Sequence, residues 1–115
     1  MTKPLSKQPR LFARIAVNFP VRISTLDTKG KNILTQAIIL NVSRGGAAIE
    51  LNADTDPTST VKIHWQDQRG LHEASAQPRW KKVCGNNIWR LGVENTENNQ
   101  LWSNLIYFAC RNRSC

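Results

Sequence analysis

The stretch densest in chemistry is Asn41-Val42-Ser43-Arg44-Gly45-Gly46, which separates two apolar runs. It offers an amide, a hydroxyl, a guanidinium and two positions with no side chain. Amides and hydroxyls both donate and accept hydrogen bonds, and a glycine either adopts φ > 0 or lets another group approach the backbone. The plain reading is a hairpin corner, since polar residues followed by Gly-Gly make tight turns. The second reading is a corner shaped to hold a ligand. Arg10 and Arg14 bear on the choice: they stand in RxxxR spacing, and Asn41 follows Arg14 by 27 positions. Guanidinium forks bind phosphate bidentately and stack on planar rings. Taken alone, that spacing equally describes a solvated basic tail.

Catalytic constellations find little support. Hydrolysis or acid–base chemistry needs a nucleophile beside a base, or paired carboxylates. Two histidines and 8 acidic residues form no suggestive pairing, and there is no Walker loop or GxGxxG. Cys84, Cys110 and Cys115 lack CxxC spacing and, with only His64 and His72, assemble no zinc site. The chain reads as a binding protein and not an enzyme, with no metal and no cofactor.

The elements that must position these residues follow from hydrophobic period. Residues 1–13, with Pro4 and Pro9, read as a flexible basic arm. Val17, Phe19, Val21 and Ile23 then alternate with polar residues, the period of a half-buried strand, and Pro20 on the polar face implies an edge or a bulge. "ILTQAIIL" is a second strand running into the Asn41–Gly46 corner, and "AAIEL" leaves the corner as a third. "VKIHWQ" alternates with Val61, Ile63 and Trp65 on one face, which leaves His64 solvated. "LHEASAQPRWKKV" is a longer strand interrupted at Pro78, and "IWRLGVEN" is the last. Turn signals close each run, which predicts a small antiparallel barrel or sandwich.

Residues 96–115 change period. Leu101, Trp102, Leu105, Ile106 and Ala109 form one helical stripe, with Thr96 as cap and Arg111 and Arg113 at the negative end of the dipole. Trp65, Trp89 and Trp102 read as core, and Trp80, in "PRWKK", as exposed.

Composition narrows the partners. The 115 residues suit one domain. A formal charge of +8 favours anionic partners, and residues 1–22 carry five cations with no acid. Three cysteines make no disulfide framework and read as free thiols in a reducing compartment. The basic N-terminus precedes no apolar run, so it is no signal peptide, and no stretch approaches the ~18 apolar residues of a membrane span. A cytoplasmic protein is expected.

Arg10-xxx-Arg14 before the first strand, then Asn41-x-Ser43-x-x-Gly46 between strands, resembles the PilZ domain, the bacterial receptor family for cyclic di-GMP. Its signature is RxxxR followed by [D/N]xSxxG. The similarity extends through "VNFPVRI" and "RLGVE", over roughly residues 10 to 95. It implies an all-β, six-stranded antiparallel barrel over 14–95 with one C-terminal helix over 96–115 packed on it. It also implies a cyclic di-GMP site formed by Arg10, Arg14, Asn41, Ser43 and Gly46, with Arg44 either a rim contact or a solvated turn residue. Guanidiniums would meet the phosphates and the O6 and N7 acceptors of guanine. The arm would close over the ligand and present a new surface to an unidentified partner protein. Gly46 would supply φ > 0 or a close approach, and Ser43 would face solvent in the free protein, so that Ser43→Ala leaves its melting near unchanged. Asn95 departs from the pattern, standing where many relatives carry an aromatic. The rival reading is a barrel that binds single-stranded nucleic acid by stacking on Trp80 within a basic groove. It explains the charge but not the Asn-x-Ser-x-x-Gly corner.

Overall fold

Strand alternation organises the molecule. The computed structural model describes residues 14–96 and 99–111. Six strands, β1 (Ile15–Leu26), β2 (Asn32–Val42), β3 (Gly46–Leu51), β4 (Val61–Asp67), β5 (Gly70–Gly85) and β6 (Ile88–Asn95), precede one helix, α1 (Asn99–Arg111). The strands close into a barrel in the order β1-β2-β3-β6-β5-β4, every pair antiparallel. The expected six-stranded antiparallel barrel with a C-terminal helix is what the chain forms.

The barrel interior is filled by the inward residues of each strand. Ile23, Ile39, Ile49, Ile63 and Leu91 are fully buried, and Trp102, Leu105 and Ala109 of α1 join the same cluster. Burying each large aliphatic or aromatic side chain stabilises the fold by about 1.5–3 kcal/mol. Trp65 and Trp102 are core as expected, whereas Trp89 packs against the cluster from a partly exposed position. Trp80 is 45% exposed. On α1, Leu101 lies off the buried stripe and is exposed.

The two prolines act as irregularities and not as breaks. Pro20 is exposed, and the β1–β2 register shifts just before it, between Ala16 and Phe19. β5 continues through Pro78 with a register shift between Pro78 and Trp80, which makes Arg79 the extra residue of a bulge. Closure between β1 and β4 is short, spanning only Arg22–Ser24 opposite Lys62–His64.

The cap expected at Thr96 concerns residues 97 and 98, which lie outside the described residues. The Thr96 hydroxyl donates to the Ser75 carbonyl at 3.2 Å, fastening the chain to β5 before α1 begins at Asn99. Arg111 does lie in the last turn, where its Nη1 donates to the Tyr107 hydroxyl at 3.3 Å. Arg113 and the residue 1–13 arm lie outside the described residues.

Candidate nucleotide site

The corner between β2 and β3 is a closed hydrogen-bonded turn. The Ser43 amide donates to the Gly46 carbonyl at 2.8 Å, and Ser43 Oγ accepts from the Gly45 amide at 3.2 Å. From β6, the Asn95 amide donates to the Gly45 carbonyl at 2.9 Å, and Asn95 Nδ2 donates to the Arg44 carbonyl at 3.3 Å. The residue that departs from the family pattern thus braces the corner from below.

One expectation about this corner is corrected, and one alternative is resolved. Ser43 does not face solvent: it is 8% exposed, and its carbonyl accepts a 2.7 Å hydrogen bond from Trp102 Nε1 of α1. Trp102 thus ties the helix to the backbone of the corner. Gly46 does not adopt φ > 0, since positive φ among the described glycines occurs at Gly30 and Gly70. Its alternative role, close approach, is the one observed. A Cβ at Gly46 would collide with the Val93 carbonyl of β6, so glycine is needed for β3 and β6 to pair at Gly46–Glu94.

Arg14, the residue just before β1, meets the corner. Its Nη1 donates to Asn41 Oδ1 at 2.9 Å across the β1–β2 pair, where Ala16 stands opposite Asn41. Arg14 and Arg44 are both exposed, and Asn41 is half-buried. The structure therefore brings Arg14, Asn41, Ser43, Arg44 and Gly46 to one end of the β1–β2–β3 sheet. Arg10 lies outside the described residues.

Asn41 also begins a row that no spacing rule exposes. Successive cross-strand partners run Asn41–Ala48–Gly92–Trp80 from β2 through β3 and β6 to β5. At the usual strand separation this row spans about 14 Å. Ala48 and Gly92 are the smallest residues available, and both are buried. A Cβ at Gly92 would strike the Trp80 indole, which folds back over the glycine and leaves its outer side to solvent. The signal in the sequence was the glycine within "RLGVE", because glycine inside a strand marks a bend or a close approach.

Ion pairs flank the row. Arg90 Nε lies 3.2 Å from Glu50 Oε2 on one side, and Arg79 pairs with Glu94 on the other. Lys81 is drawn away to Asp54 Oδ1 at 2.6 Å and to the Thr55 carbonyl. The described residues contain no cluster of three or more side chains able to hold a metal, and none of their helices is long and apolar enough to cross a membrane. Cys84 and Cys110 are free thiols.

The model of the PilZ domain matches residues 8–108, nearly the whole chain. This chain belongs to the PilZ domain family. Its fold is similar to the PilZ domain of YcgR from Escherichia coli, a structure holding c-di-GMP. That match has a TM-score of 0.59 at 18% identity and covers 91% of this chain and 92% of the other. It is also similar to the PilZ domain of CeSA from a cellulose-synthesizing bacterium, with a TM-score of 0.52 at 18% identity, covering 86% and 96%. Among curated proteins none matches. At these identities the likeness concerns the barrel and its helix. The site of this PilZ domain rests on its own residues.

Proposed function

We propose that this PilZ domain is a cytoplasmic receptor for cyclic di-GMP and not an enzyme. The observation that carries the reading is the Arg14–Asn41 hydrogen bond beside the Ser43–Gly46 corner. It joins the two halves of a signature separated by 27 residues at one place where a planar, doubly anionic ligand would lie.

Each residue has a distinct task in this reading. Arg14, together with Arg10 from the arm, takes phosphate and guanine acceptors through guanidinium forks. Asn41 has a second lone pair on Oδ1 and its own amide hydrogens for a guanine edge. Ser43 keeps a donor hydrogen, because its Oγ acts as acceptor toward Gly45. Gly46 maintains the strand pairing that sets the corner. Trp80 offers an aromatic face at the far end of the row for the second base. Arg44 adds positive charge at the rim. With ligand bound, the ordered arm forms a new surface that a partner protein reads.

The single-stranded nucleic-acid reading draws on Trp80 and its basic neighbours. Arg79 is paired with Glu94 and Lys81 with Asp54, so the groove has less free charge than the sequence suggests. Calorimetry decides between the two. Cyclic di-GMP should bind stoichiometrically and outcompete both GMP and a short single-stranded oligonucleotide. Tight oligonucleotide binding with no heat from cyclic di-GMP would overturn the proposal.

A further inference from the structure

We infer that a second site, independent of the nucleotide corner, lies at the β1–β4 seam and docks an acidic, aromatic-bearing segment of a partner protein. The seam opens for a reason written in the chain. Extending the Arg22–His64 register would set Pro20 opposite Gln66, and proline has no N–H to contribute to the ladder. Past that point β1 and β4 part. The last turns of α1 form the other wall, leaving a cleft of about 650 Å³, a volume typical of binding sites.

The lining has a consistent chemistry. Trp65 and His72 stack with ring centres 5.4 Å apart, and Phe108 of α1 stands 5.4 Å from His72. Arg69, in the β4–β5 turn, and Arg111, at the end of α1, bring positive charge from opposite walls. The carboxylate in the lining, Asp67, is already engaged: its Oδ1 accepts from His72 Nε2 and from the Arg69 amide, both at 2.8 Å. Its charge remains, so two guanidiniums against one carboxylate leave the lining with a net positive charge of one. Gln66, Gln68 and Asn104 line the same cleft with amides that both donate and accept, which suits a peptide backbone.

Charge complementarity selects the occupant. An aromatic side chain stacks on the Trp65, His72 and Phe108 rings while flanking Asp or Glu side chains reach the two guanidiniums. A nucleic-acid strand would require a continuous track of cations, whereas these two stand across a bounded cleft beside a carboxylate. The corner and the cleft lie toward opposite ends of α1, with Trp102 at the first and Phe108 and Arg111 at the second.

The test uses the full chain panned against a displayed library of random hexapeptides, followed by amide chemical-shift mapping of the selected peptides. Enriched sequences should combine acidic with aromatic residues and shift Trp65, His72 and Phe108. Arg69→Glu and Arg111→Glu, both at exposed positions, should each weaken those peptides about tenfold or more. Arg69→Glu should leave the melting temperature unchanged, and Arg111→Glu should lower it only slightly, as a negative charge at a helix C-terminus does. Failure to enrich, a neutral or basic consensus, shifts mapping elsewhere, or affinity indifferent to either charge reversal would each overturn the inference. So would a mixed-sequence oligonucleotide that perturbs the same amides more strongly than any selected peptide.

Discussion

Arg14 and Asn41 are joined side chain to side chain at 2.9 Å, although 27 residues separate them in the chain. Antiparallel pairing of β1 with β2 places them side by side at the end of the sheet. The contact has two implications. It holds the Asn41 amide in one orientation, and it keeps one signature arginine beside the corner.

Arg14→Ala should therefore weaken cyclic di-GMP binding by roughly 1.5–3 kcal/mol, about ten- to a hundredfold, by removal of a charge-assisted contact. Stability should change by no more than ~0.5 kcal/mol, because the residue is exposed. Arg10→Ala should also weaken binding. In a double-mutant cycle, Arg14→Ala and Asn41→Ala should be non-additive by about 0.5 kcal/mol or more, while Arg10→Ala and Asn41→Ala should add more nearly. Strict additivity of the first pair in calorimetric titrations would remove the link between them.

Ser43→Ala should lower stability as well as affinity, contrary to the expectation from sequence. The change strips the Gly45 amide of its acceptor in a partly buried turn, at a cost of about 1–3 kcal/mol. Thermal melts without ligand check this. An unchanged melting temperature would mean that water replaces the hydroxyl.

Gly46→Ala and Gly92→Ala should differ in degree. The obstacle to a Cβ at Gly46 is the Val93 backbone, whereas at Gly92 it is the Trp80 side chain. Overpacking costs typically 1–3 kcal/mol, and a side chain swings aside more easily than a paired strand. Gly46→Ala should destabilise more. Gly92→Ala should instead move the indole, changing tryptophan fluorescence and reducing cyclic di-GMP affinity. Equal melting temperatures for the two variants would contradict this ordering.

Acid should unfold the protein partly through Asp67. The hydrogen bond from His72, with a further one from the Arg69 amide, holds its carboxyl below the ordinary value of 3.8. A depressed folded-state pKa contributes stability that is present above the unfolded value and lost as pH falls through the folded one. Melting temperature should fall as pH drops below about 4, and Asp67→Asn should make that fall shallower. Asp27, lowered by the Lys31 and Lys29 amides, and Asp56, lowered by Thr58, act in the same direction and remain in the variant. An acid limb equally steep in Asp67→Asn would assign the effect to them.

Much of the barrel was legible because strand period is local. The alternation of Val61, Ile63 and Trp65 needs no knowledge of partners, and neither does the helical spacing of Trp102, Leu105 and Ala109. Features that depend on two distant segments were not legible. The burial of Ser43 comes from Trp102, 59 residues later. The need for Gly46 comes from β6 and not from its own torsion angle. The place of Trp80 beside Gly92 depends on the bulge at Arg79, which shifts the β5–β6 register by one residue. The hydrogen bond from Thr96 to Ser75 likewise has no signal in the neighbourhood of Thr96.

The short β1–β4 ladder has a bearing on how the molecule breathes. β1 is paired with β2 from Ile15 to Leu26, yet it meets β4 only over Arg22–Ser24. Of the six joints that close the barrel, this one has the fewest backbone hydrogen bonds to break. Parting it leaves one open sheet of six strands still in their original order, and it lies away from the Asn41–Ala48–Gly92–Trp80 row. Amide hydrogens that bridge β1 and β4 should therefore exchange with solvent through a local opening well below the global unfolding free energy, while those between β3 and β6 exchange only on complete unfolding. The barrel would then flex at its latch while the surface proposed for the nucleotide stays rigid.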